Sequence, residues 1–398
     1  MKTPVYLDNH ATTRVDPRVL ERMLPSLGEV FGNPASTSHI FGRQAKECVD
    51  AARAQIAQAL GAAPQEIVFT SGATESNNLA IRGVCERLRR KGNHVVSLAT
   101  EHKAVLEPLQ KLQARGYQIT LLPVRQQPHP EAGLVDLDQL ADTIRPDTVL
   151  VSVMWANNEV GVIQPLREIG HLCSQRGVLL HTDAAQAAGK IPLDLRELQI
   201  DLMSISGHKM YGPKGVGALY VRRRHLPVRL ESQIDGGRHE QGLRSGTLNV
   251  PGIVGLAAAL ALCVEELPAE MARLRALRDR LYEGLRARIP DVTLNGPALS
   301  RPELRLPGNL NCRFGGVDGE TLLMRMPDLA VSSGSACSSA DPAPSHVLRA
   351  LGLSHEQARA SVRFGLGRFT TDEEIEFAIG LVADAVHRLR SLGSGAKD

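Results

Sequence analysis

The chain has 398 residues, with 46 lysines and arginines against 43 aspartates and glutamates and a formal net charge of +3. A charge this small and evenly spread argues against nucleic acid or an anionic membrane as the main partner. The N-terminus has no apolar stretch typical of a secretory signal. The chain also has no uninterrupted run of about 18 apolar residues, the length needed to cross a bilayer. The six cysteines have no CxxC spacing, so we expect a reducing, cytoplasmic setting without a disulfide framework.

Between about residues 65 and 222, short β-rich runs alternate with helical stretches. Strands are predicted at residues 67–69, 94–98, 119–124, 148–154, 178–182, 202–206 and 216–221. Helices are predicted at residues 77–88, 105–112 and 165–175. Because these strands alternate with helices, they predict a mostly parallel, seven-stranded α/β sheet. Ligands of such sheets gather where the strands end.

The pattern changes after residue 222. A long amphipathic helix is predicted at about residues 269–288, followed by a Pro/Gly-punctuated stretch and a compact α+β tail. A chain of this length exceeds the size at which one hydrophobic core stops growing, so two domains are expected. We predict a large α/β domain at residues 16–262 and a smaller α+β domain formed by residues 1–15 and 263–398.

Lys209 lies just after a predicted buried strand and just before a glycine-rich turn at residues 211–215. A lysine that is partly withdrawn from water at such a strand end can act as a nucleophile. Taken alone, a surface-loop lysine is the more common interpretation, and Lys214 in the same turn is a rival. The segment Ser71–Thr74 lies between a strand and a helix, where backbone N–H groups converge on an anion.

Three further side chains follow predicted strand ends. Asp183 could pair with a protonated pyridine nitrogen, with a helix N-cap as the alternative, and Gln186 could reach a phenolic oxygen on the same ring. His102 offers a flat ring for stacking and for acid–base chemistry, with a capping or solvated histidine as the alternative. Pyridoxal phosphate (PLP) needs an amine, an anion site, a partner for its ring nitrogen and a stacking face. Together these features predict a PLP site in which Lys209 forms the Schiff base.

Eight short motifs occur in order along the chain. They are Tyr6–Thr13 (YLDNHATT), Ser71–Asn77 (SGATESN), Thr100–His102 (TEH), Asn157–Gly161 (NNEVG), His181–Gln186 (HTDAAQ), Ser206–Lys209 (SGHK), Arg244–Thr247 (RSGT) and Ser333–Cys337 (SGSAC). All eight resemble motifs of the cysteine desulfurases of the iron–sulfur-cluster and nitrogen-fixation type, which belong to the class V aminotransferases. The resemblance runs nearly end to end and implies the PLP-dependent transferase fold type I and a homodimer.

The resemblance also implies a role for each matching residue. Lys209 matches the Schiff-base lysine, and the phosphate contacts match Ala73, Thr74, Ser206 and His208. Asp183 matches the partner of the pyridine nitrogen, Gln186 the donor to the phenolic oxygen, and His102 the stacking and proton-shuttling residue. Asn157 matches a contact to cofactor and substrate, Arg363 the substrate-carboxylate clamp, and Thr247 a phosphate ligand donated by the second subunit.

Cys337 differs from the other five cysteines. Its neighbours at residues 332–345 are mostly small residues and prolines, a composition that suits an exposed, mobile loop at about residues 330–345. An exposed thiol can ionise and attack, whereas small thiols within helical or strand-like patterns are usually inert. These inert thiols are expected at Cys48, Cys85, Cys173, Cys263 and Cys312. By resemblance, Cys337 carries the persulfide and could serve as a transient iron–sulfur ligand.

The reaction implied by the resemblance removes sulfur from L-cysteine, giving L-alanine and a persulfide on Cys337. The end of the chain, at residues 390–398, is polar and lacks the acidic-aromatic tail with which housekeeping members dock a scaffold. We therefore leave the acceptor open between an iron–sulfur scaffold and a tRNA-thiolating enzyme. The alternatives to a cysteine desulfurase are another fold-type I aminotransferase, a selenocysteine lyase, and a protein that binds PLP without catalysing a reaction.

Overall fold

The protein is described by a computed structural model for residues 2–224, 226–333 and 344–394. Its strands within those residues are β1 Val5–Tyr6, β2 Ile67–Thr70, β3 His94–Leu98, β4 Gln118–Leu122, β5 Thr148–Ser152, β6 Leu179–Asp183, β7 Leu202–Ser206, β8 Gly217–Val221, β9 Val292–Leu294, β10 Asn309–Phe314, β11 Leu329–Ala330, β12 Ser332–Ser333 and β13 Ser361–Gly365. The helices are α1 Pro17–Leu27, α2 Ile40–Leu60, α3 Ala73–Leu88, α4 Lys103–Gln113, α5 Leu137–Thr143, α6 Leu166–Gln175, α7 Val250–Arg288, α8 Gly319–Met324, α9 His346–Ala350, α10 His355–Arg359 and α11 Asp372–Ser394.

A seven-stranded sheet with the order β2-β8-β7-β6-β5-β3-β4 forms the centre of the larger unit. The pairs among β7, β6, β5, β3 and β4 are parallel, which confirms the predicted mostly parallel sheet. Strand β8 is antiparallel to both of its neighbours, β7 and β2. The connection from β7 to β8 is too short for a helical crossover, so the chain turns back on itself. Lys209 lies in this short connection.

Helix α7 is 39 residues long, and the prediction that it begins near residue 269 is wrong. Its first half is buried on all sides, at Ile253, Leu256 and Leu260 among others, so it lacks the polar face that an amphipathic pattern requires. By length and composition it is the one helix among the described residues that could cross a membrane, yet most of its apolar stretch is buried inside the protein. Packing in the core therefore accounts for its apolar character.

A four-stranded antiparallel sheet with the order β12-β13-β10-β9 forms the smaller unit, beside the parallel pair of β1 and β11. A separate hydrophobic core joins the N-terminal Val5 and Leu7 to the second half of α7 and to α11. The first half of α7 belongs to the core of the large sheet instead. One helix thus connects both units, and the division at residue 262 stays a prediction.

Candidate active site

A cavity of about 580 Å³ opens at the carboxyl ends of β6 and β7. Nine of the predicted site residues line it: Ala73, Thr74, His102, Asp183, Gln186, Ser206, His208, Lys209 and Arg363. Arg363 comes from β13 of the smaller unit, and the other eight residues come from four motifs of the larger unit. The parallel strands bring them together because their carboxyl ends share one edge of the sheet.

Lys209 follows buried strand β7 in a single 3₁₀ turn, Gly207–Lys209. Its amine donates to the carbonyl oxygens of His10 and Ala11, each at 2.6 Å. The N-terminal segment therefore holds the amine at the cavity wall. An amine placed there has room on the cavity side for a covalent partner.

Helix α3 begins at the cavity, after Gly72. No side chain caps this helix N-terminus, so its first backbone N–H groups remain available to an anion. Gly72 has a φ of +148°, and a Cβ atom there would lie 3.7 Å from Ser206 Oγ. On β8, Gly217 permits the close approach of this turn, since a Cβ there would lie 2.7 Å from Gly72 Cα. A phosphate group fits this concave backbone.

Asp183 ends β6 and is 5% exposed. Its carboxylate accepts hydrogen bonds from Asn77 Nδ2 at 2.7 Å and from the backbone N–H of Ala185 at 2.9 Å. It therefore holds the following turn, which is not a helix, so the N-cap alternative is wrong; the carboxylate also lines the cavity. Because a buried carboxylate needs a charged or hydrogen-bonding partner, the protonated ring nitrogen of PLP fits this position.

His102 is the N-cap of α4, and its Nδ1 accepts from the backbone N–H of Ala104 at 3.1 Å. The capping interpretation is thus confirmed, yet the side chain is exposed to the cavity. Withdrawal from bulk water lowers the pKa of His102 below its usual value. The ring is therefore neutral at pH 7, with its proton on Nε2, and its face is open for stacking.

His208 also faces the cavity, and its Nδ1 lies 3.1 Å from Thr12 Oγ1. Burial, together with the neighbouring lysines, lowers the pKa of His208 to about 4. The ring therefore adds no charge to the anion site at neutral pH, and only a hydrogen bond is available from it.

Arg363 lies on the opposite wall, in β13, with its side chain 3% exposed. Its Nη2 donates to Asp8 Oδ1 and to Ser332 Oγ, each at 2.8 Å, and its Nη1 donates to the Asn158 carbonyl oxygen at 3.0 Å. The Nε atom is buried and has no partner. A buried guanidinium with an unused N–H fits an added carboxylate. Asp8 and Asn158 were not predicted as site residues, although they lie in the motifs Tyr6–Thr13 and Asn157–Gly161.

Two of the predicted site residues that the structure describes, Asn157 and Thr247, do not line the cavity. Asn157 is 1% exposed, and its Oδ1 accepts from the backbone N–H groups of Glu159 and Val160 while its Nδ2 donates to the Thr100 carbonyl oxygen. Its neighbour Asn158 lines the cavity instead. Thr247 is exposed and outside this cavity, and Cys337 lies outside the described residues.

The other cysteines are free thiols, and four of them are buried. Burial raises the pKa of Cys85, Cys173 and Cys312 to about 12 and that of Cys263 to about 11. These four thiols therefore stay protonated at neutral pH, and the expectation that they are inert stays a prediction. No group of three potential metal ligands occurs within the described part of the chain, and the role of Cys337 as a metal ligand stays a prediction.

The aminotransferase class-V family matches residues 5–377 of this chain. Cysteine desulfurase IscS of Salmonella schwarzengrund (strain CVM19633) is 53% identical over 394 residues, which cover 98% of this chain and 95% of that protein. A solved NifS-like protein has a TM-score of 0.88 and 38% identity, covering 96% of this chain and 99% of that one. A structure of SspA in complex with cysteine has a TM-score of 0.78 and 36% identity, covering 92% and 99% of the two chains. The chain therefore belongs to the aminotransferase class-V family of PLP-dependent enzymes, and to the cysteine desulfurases within it.

Proposed function

We propose that the protein removes sulfur from L-cysteine, releasing L-alanine and leaving a persulfide on Cys337. The observation that carries this proposal is the convergence of Lys209, Asp183 and Arg363 on one cavity. An amine, an anionic partner for a ring nitrogen and a buried guanidinium are the three groups that PLP and an amino acid together require. The relatedness to cysteine desulfurases selects cysteine from among the amino acids.

PLP, when bound, supplies an aldehyde for the lysine amine and a ring that draws electrons away from the α-carbon of the substrate. Lys209 would hold it covalently, and the N-terminus of α3 would hold its phosphate together with Ser206 and His208. Asp183 would keep the ring nitrogen protonated, and His102 would stack on the ring. Gln186 would donate a hydrogen bond to the phenolic oxygen.

Arg363 would bind the carboxylate of the amino acid through the N–H of its free Nε. Fixing the carboxylate on one wall and the amino group near Lys209 on the other orients the α-hydrogen in a defined direction. The amine of Lys209 is the group in the cavity that can take up this proton. His102, neutral and carrying its hydrogen on Nε2, can donate a hydrogen bond to the sulfur of the substrate.

Cys337 would then attack the sulfur of the substrate as a thiolate. A bond forms between its Sγ and the substrate sulfur while the carbon–sulfur bond of the substrate breaks, and the electron pair stays with carbon. Protonation of that carbon yields alanine. No external oxidant is needed, because the sulfur of the substrate becomes the outer sulfur of the persulfide while the carbon keeps the electron pair and gains a proton.

The proposal includes a homodimer in which Thr247 reaches the phosphate of the second subunit. The exposure of Thr247 outside the cavity of its own chain supports this assignment. A cytoplasmic location and an acceptor protein, either an iron–sulfur scaffold or a tRNA-thiolating enzyme, complete the proposal. Sedimentation of the holoenzyme measures the dimer, and a Thr247→Ala variant should bind PLP more weakly than wild type.

The decisive experiment incubates the holoenzyme with L-cysteine and examines the peptide containing Cys337 by mass spectrometry. We expect one added sulfur on that peptide and one alanine released for each sulfur. The Cys337→Ser variant should keep the cofactor absorbance and form neither product, while Cys48→Ser, a half-buried thiol away from the cavity, should match wild type. Alanine formation at the wild-type rate by Cys337→Ser would contradict the proposal and favour a different PLP reaction.

A further inference from the structure

Lys190 lies beside the cavity on the turn that follows β6, and the proposed mechanism gives it no role. Its amine donates to Gln186 Oε1 at 2.7 Å, the one polar contact of this amine within the described residues. The side chain lines a small interior cavity of about 20 Å³ with His10 and Glu270. An amine that is withdrawn from water without a carboxylate partner destabilises the folded protein. The contact of Lys190 with Gln186 therefore calls for a functional explanation.

The hydrogen bonds of the Gln186 amide can be assigned one by one. Its Nε2 donates to the carbonyl oxygen of His10 at 2.8 Å. Its Oε1 accepts from Lys190 and also lies 3.2 Å from Nδ1 of His10. Since Oε1 can only accept, Nδ1 of His10 carries the hydrogen in this contact.

A side-chain amide has two N–H donors and two acceptor lone pairs. In Gln186 both lone pairs and one N–H are occupied, so a single N–H remains. The residue lines the cofactor cavity, and this N–H is the one hydrogen-bonding group it can offer there. The amide therefore presents a donor to the cavity and no acceptor.

We infer that Lys190 is a positioning residue that holds the Gln186 amide with its N–H side toward the cofactor. A rotated amide would place Nε2 against the amine of Lys190, donor against donor, and would turn an acceptor toward the phenolic oxygen of PLP. The inference rests on the proposed function only in taking PLP as the occupant of the cavity. It concerns the resting holoenzyme and needs no turnover of cysteine.

The same orientation of the Gln186 amide fixes the tautomer of His10. Burial lowers the pKa of His10 well below its usual value, so the ring is neutral and carries one hydrogen. With that hydrogen on Nδ1, its Nε2 atom bears a lone pair, and this atom is buried without a partner. The ring therefore supplies a second donor to Gln186 Oε1, on the same side of the amide as Lys190.

The ionisable groups around Lys190 are Lys209, Arg363, Cys263, Glu270, His10 and His208. Burial, followed by the nearby Lys209, lowers the pKa of Lys190 to about 7. Replacement of Lys190 removes the hydrogen-bond donor to Gln186 at every pH, and below about pH 7 it also removes a positive charge. Losing the donor lets the Gln186 amide turn its N–H away from the cofactor. The bound cofactor then holds its proton more tightly, because a hydrogen bond to an anionic oxygen favours the deprotonated form.

The test is a pH titration of the visible absorbance of the holoenzyme without cysteine. In Lys190→Met we expect the midpoint of the cofactor transition to rise by about one pH unit, a tenfold change in proton affinity. Lys91→Met, a matched change of a surface lysine that contacts the Gly177 carbonyl oxygen, should leave the midpoint unchanged. An unchanged midpoint in Lys190→Met would overturn the inference.

A double-mutant cycle distinguishes action through Gln186 from a direct effect of charge. Gln186→Ala alone should raise the midpoint, and adding Lys190→Met to it should change the midpoint no further. An equal shift in both backgrounds would overturn the inference. If wild type itself shows no cofactor band, the proposed function fails instead, so the two failures are distinguishable.

A second variant covers the case in which Lys190→Met does not fold or does not bind PLP. Lys190→Gln retains an N–H donor for Gln186 without the charge, and its midpoint should stay near that of wild type. A midpoint in Lys190→Gln equal to that of Gln186→Ala would overturn the inference. The melting temperature of each apo-protein shows whether any shift accompanies a general loss of stability.

Discussion

The two walls of the cavity are assembled from very different stretches of the chain. On the cofactor side, Asp183 and Lys209 lie at the ends of adjacent strands of one sheet. On the carboxylate side, Arg363 is held by Asp8, 355 residues away, and by Ser332, 31 residues away. The cofactor side is fixed mainly by backbone and neutral groups, whereas the carboxylate side depends on the ion pair between Arg363 and Asp8. We therefore expect changes on the first wall to abolish function and changes on the second to adjust affinity.

The largest effect is expected at Lys209. Lys209→Ala removes both the covalent attachment and the base, so alanine formation should fall by roughly 10⁴-fold or more. The visible absorbance of the covalently bound cofactor should disappear as well. Lys214→Ala, which changes the other lysine of the same turn, should keep this absorbance. If Lys214→Ala loses the absorbance and Lys209→Ala keeps it, the assignment of the lysine is wrong.

His181 tests whether the cofactor side depends on neutral groups. It is fully buried in β6, with Nδ1 at 2.8 Å from Ser152 Oγ and Nε2 at 3.1 Å from Ser204 Oγ. Burial lowers the pKa of His181 to about 4. In the unfolded chain a histidine takes up a proton near pH 6.5, whereas the folded protein resists this until about pH 4. The free energy of unfolding should therefore fall as the pH drops through this window, by about 3 kcal/mol for this group.

Thermal unfolding between pH 4 and pH 8 measures this dependence. A His181→Asn variant should be less stable than wild type at pH 8, and the difference should shrink as the pH falls. His171→Asn, a change of an exposed histidine, should run parallel to wild type. If the curve of His181→Asn keeps a constant distance from that of wild type, the buried ring is not the source of the pH dependence.

The same contrast explains what the sequence could predict. Strands β3 and β7 match the predicted residues, and the motifs that end β6 and β7 meet at the cavity because parallel strands end at one edge. The antiparallel direction of β8 depends on a tight turn after β7. The pairing of β10 with β13 depends on contacts between residues some fifty positions apart. Neither feature can be predicted from the local preference of residues for helix or strand. Helices α1 and α2, before the first predicted strand, were not predicted at all.

Side-chain orientation was the second limit of sequence reasoning. Asn157 and Asn158 are adjacent and chemically identical, and the order of residues does not reveal which one faces the cavity. Lys190 was overlooked because a lysine after a strand usually lies on the surface. Its contact with Gln186 is visible only after the turn between them has folded.

On the carboxylate side, Arg363→Lys retains the charge but loses the planar fork. We expect kcat/KM for cysteine to fall by about 10- to 100-fold, mainly through KM, because a hydrogen bond to a charged group contributes about 1.5–3 kcal/mol. The cofactor absorbance without substrate should not change. Arg359→Lys, on α10 and outside the residues that line the cavity, is the matched control. An altered cofactor spectrum in Arg363→Lys would mean that the two walls are not independent.

The smallest effect is expected at Asp8, whose negative charge competes with the substrate carboxylate for Arg363. Asp8→Asn keeps an acceptor oxygen for Nη2 of Arg363 and for the Ser332 hydroxyl but removes the charge. KM for cysteine should therefore decrease by about threefold, while the free energy of unfolding decreases by about 1 kcal/mol as the ion pair is lost. Asp50→Asn, which breaks the exposed pair with Lys46, should change neither quantity.

The combination of tighter substrate binding with a less stable fold makes the Asp8 prediction specific. Steady-state kinetics give KM, and chemical denaturation gives the free energy of unfolding. A higher KM together with lower stability would mean that Asp8 chiefly orients the guanidinium, since a misdirected Arg363 binds the carboxylate poorly. A lower KM would mean that the ion pair between Asp8 and Arg363 stabilises the fold but weakens the binding of the substrate carboxylate.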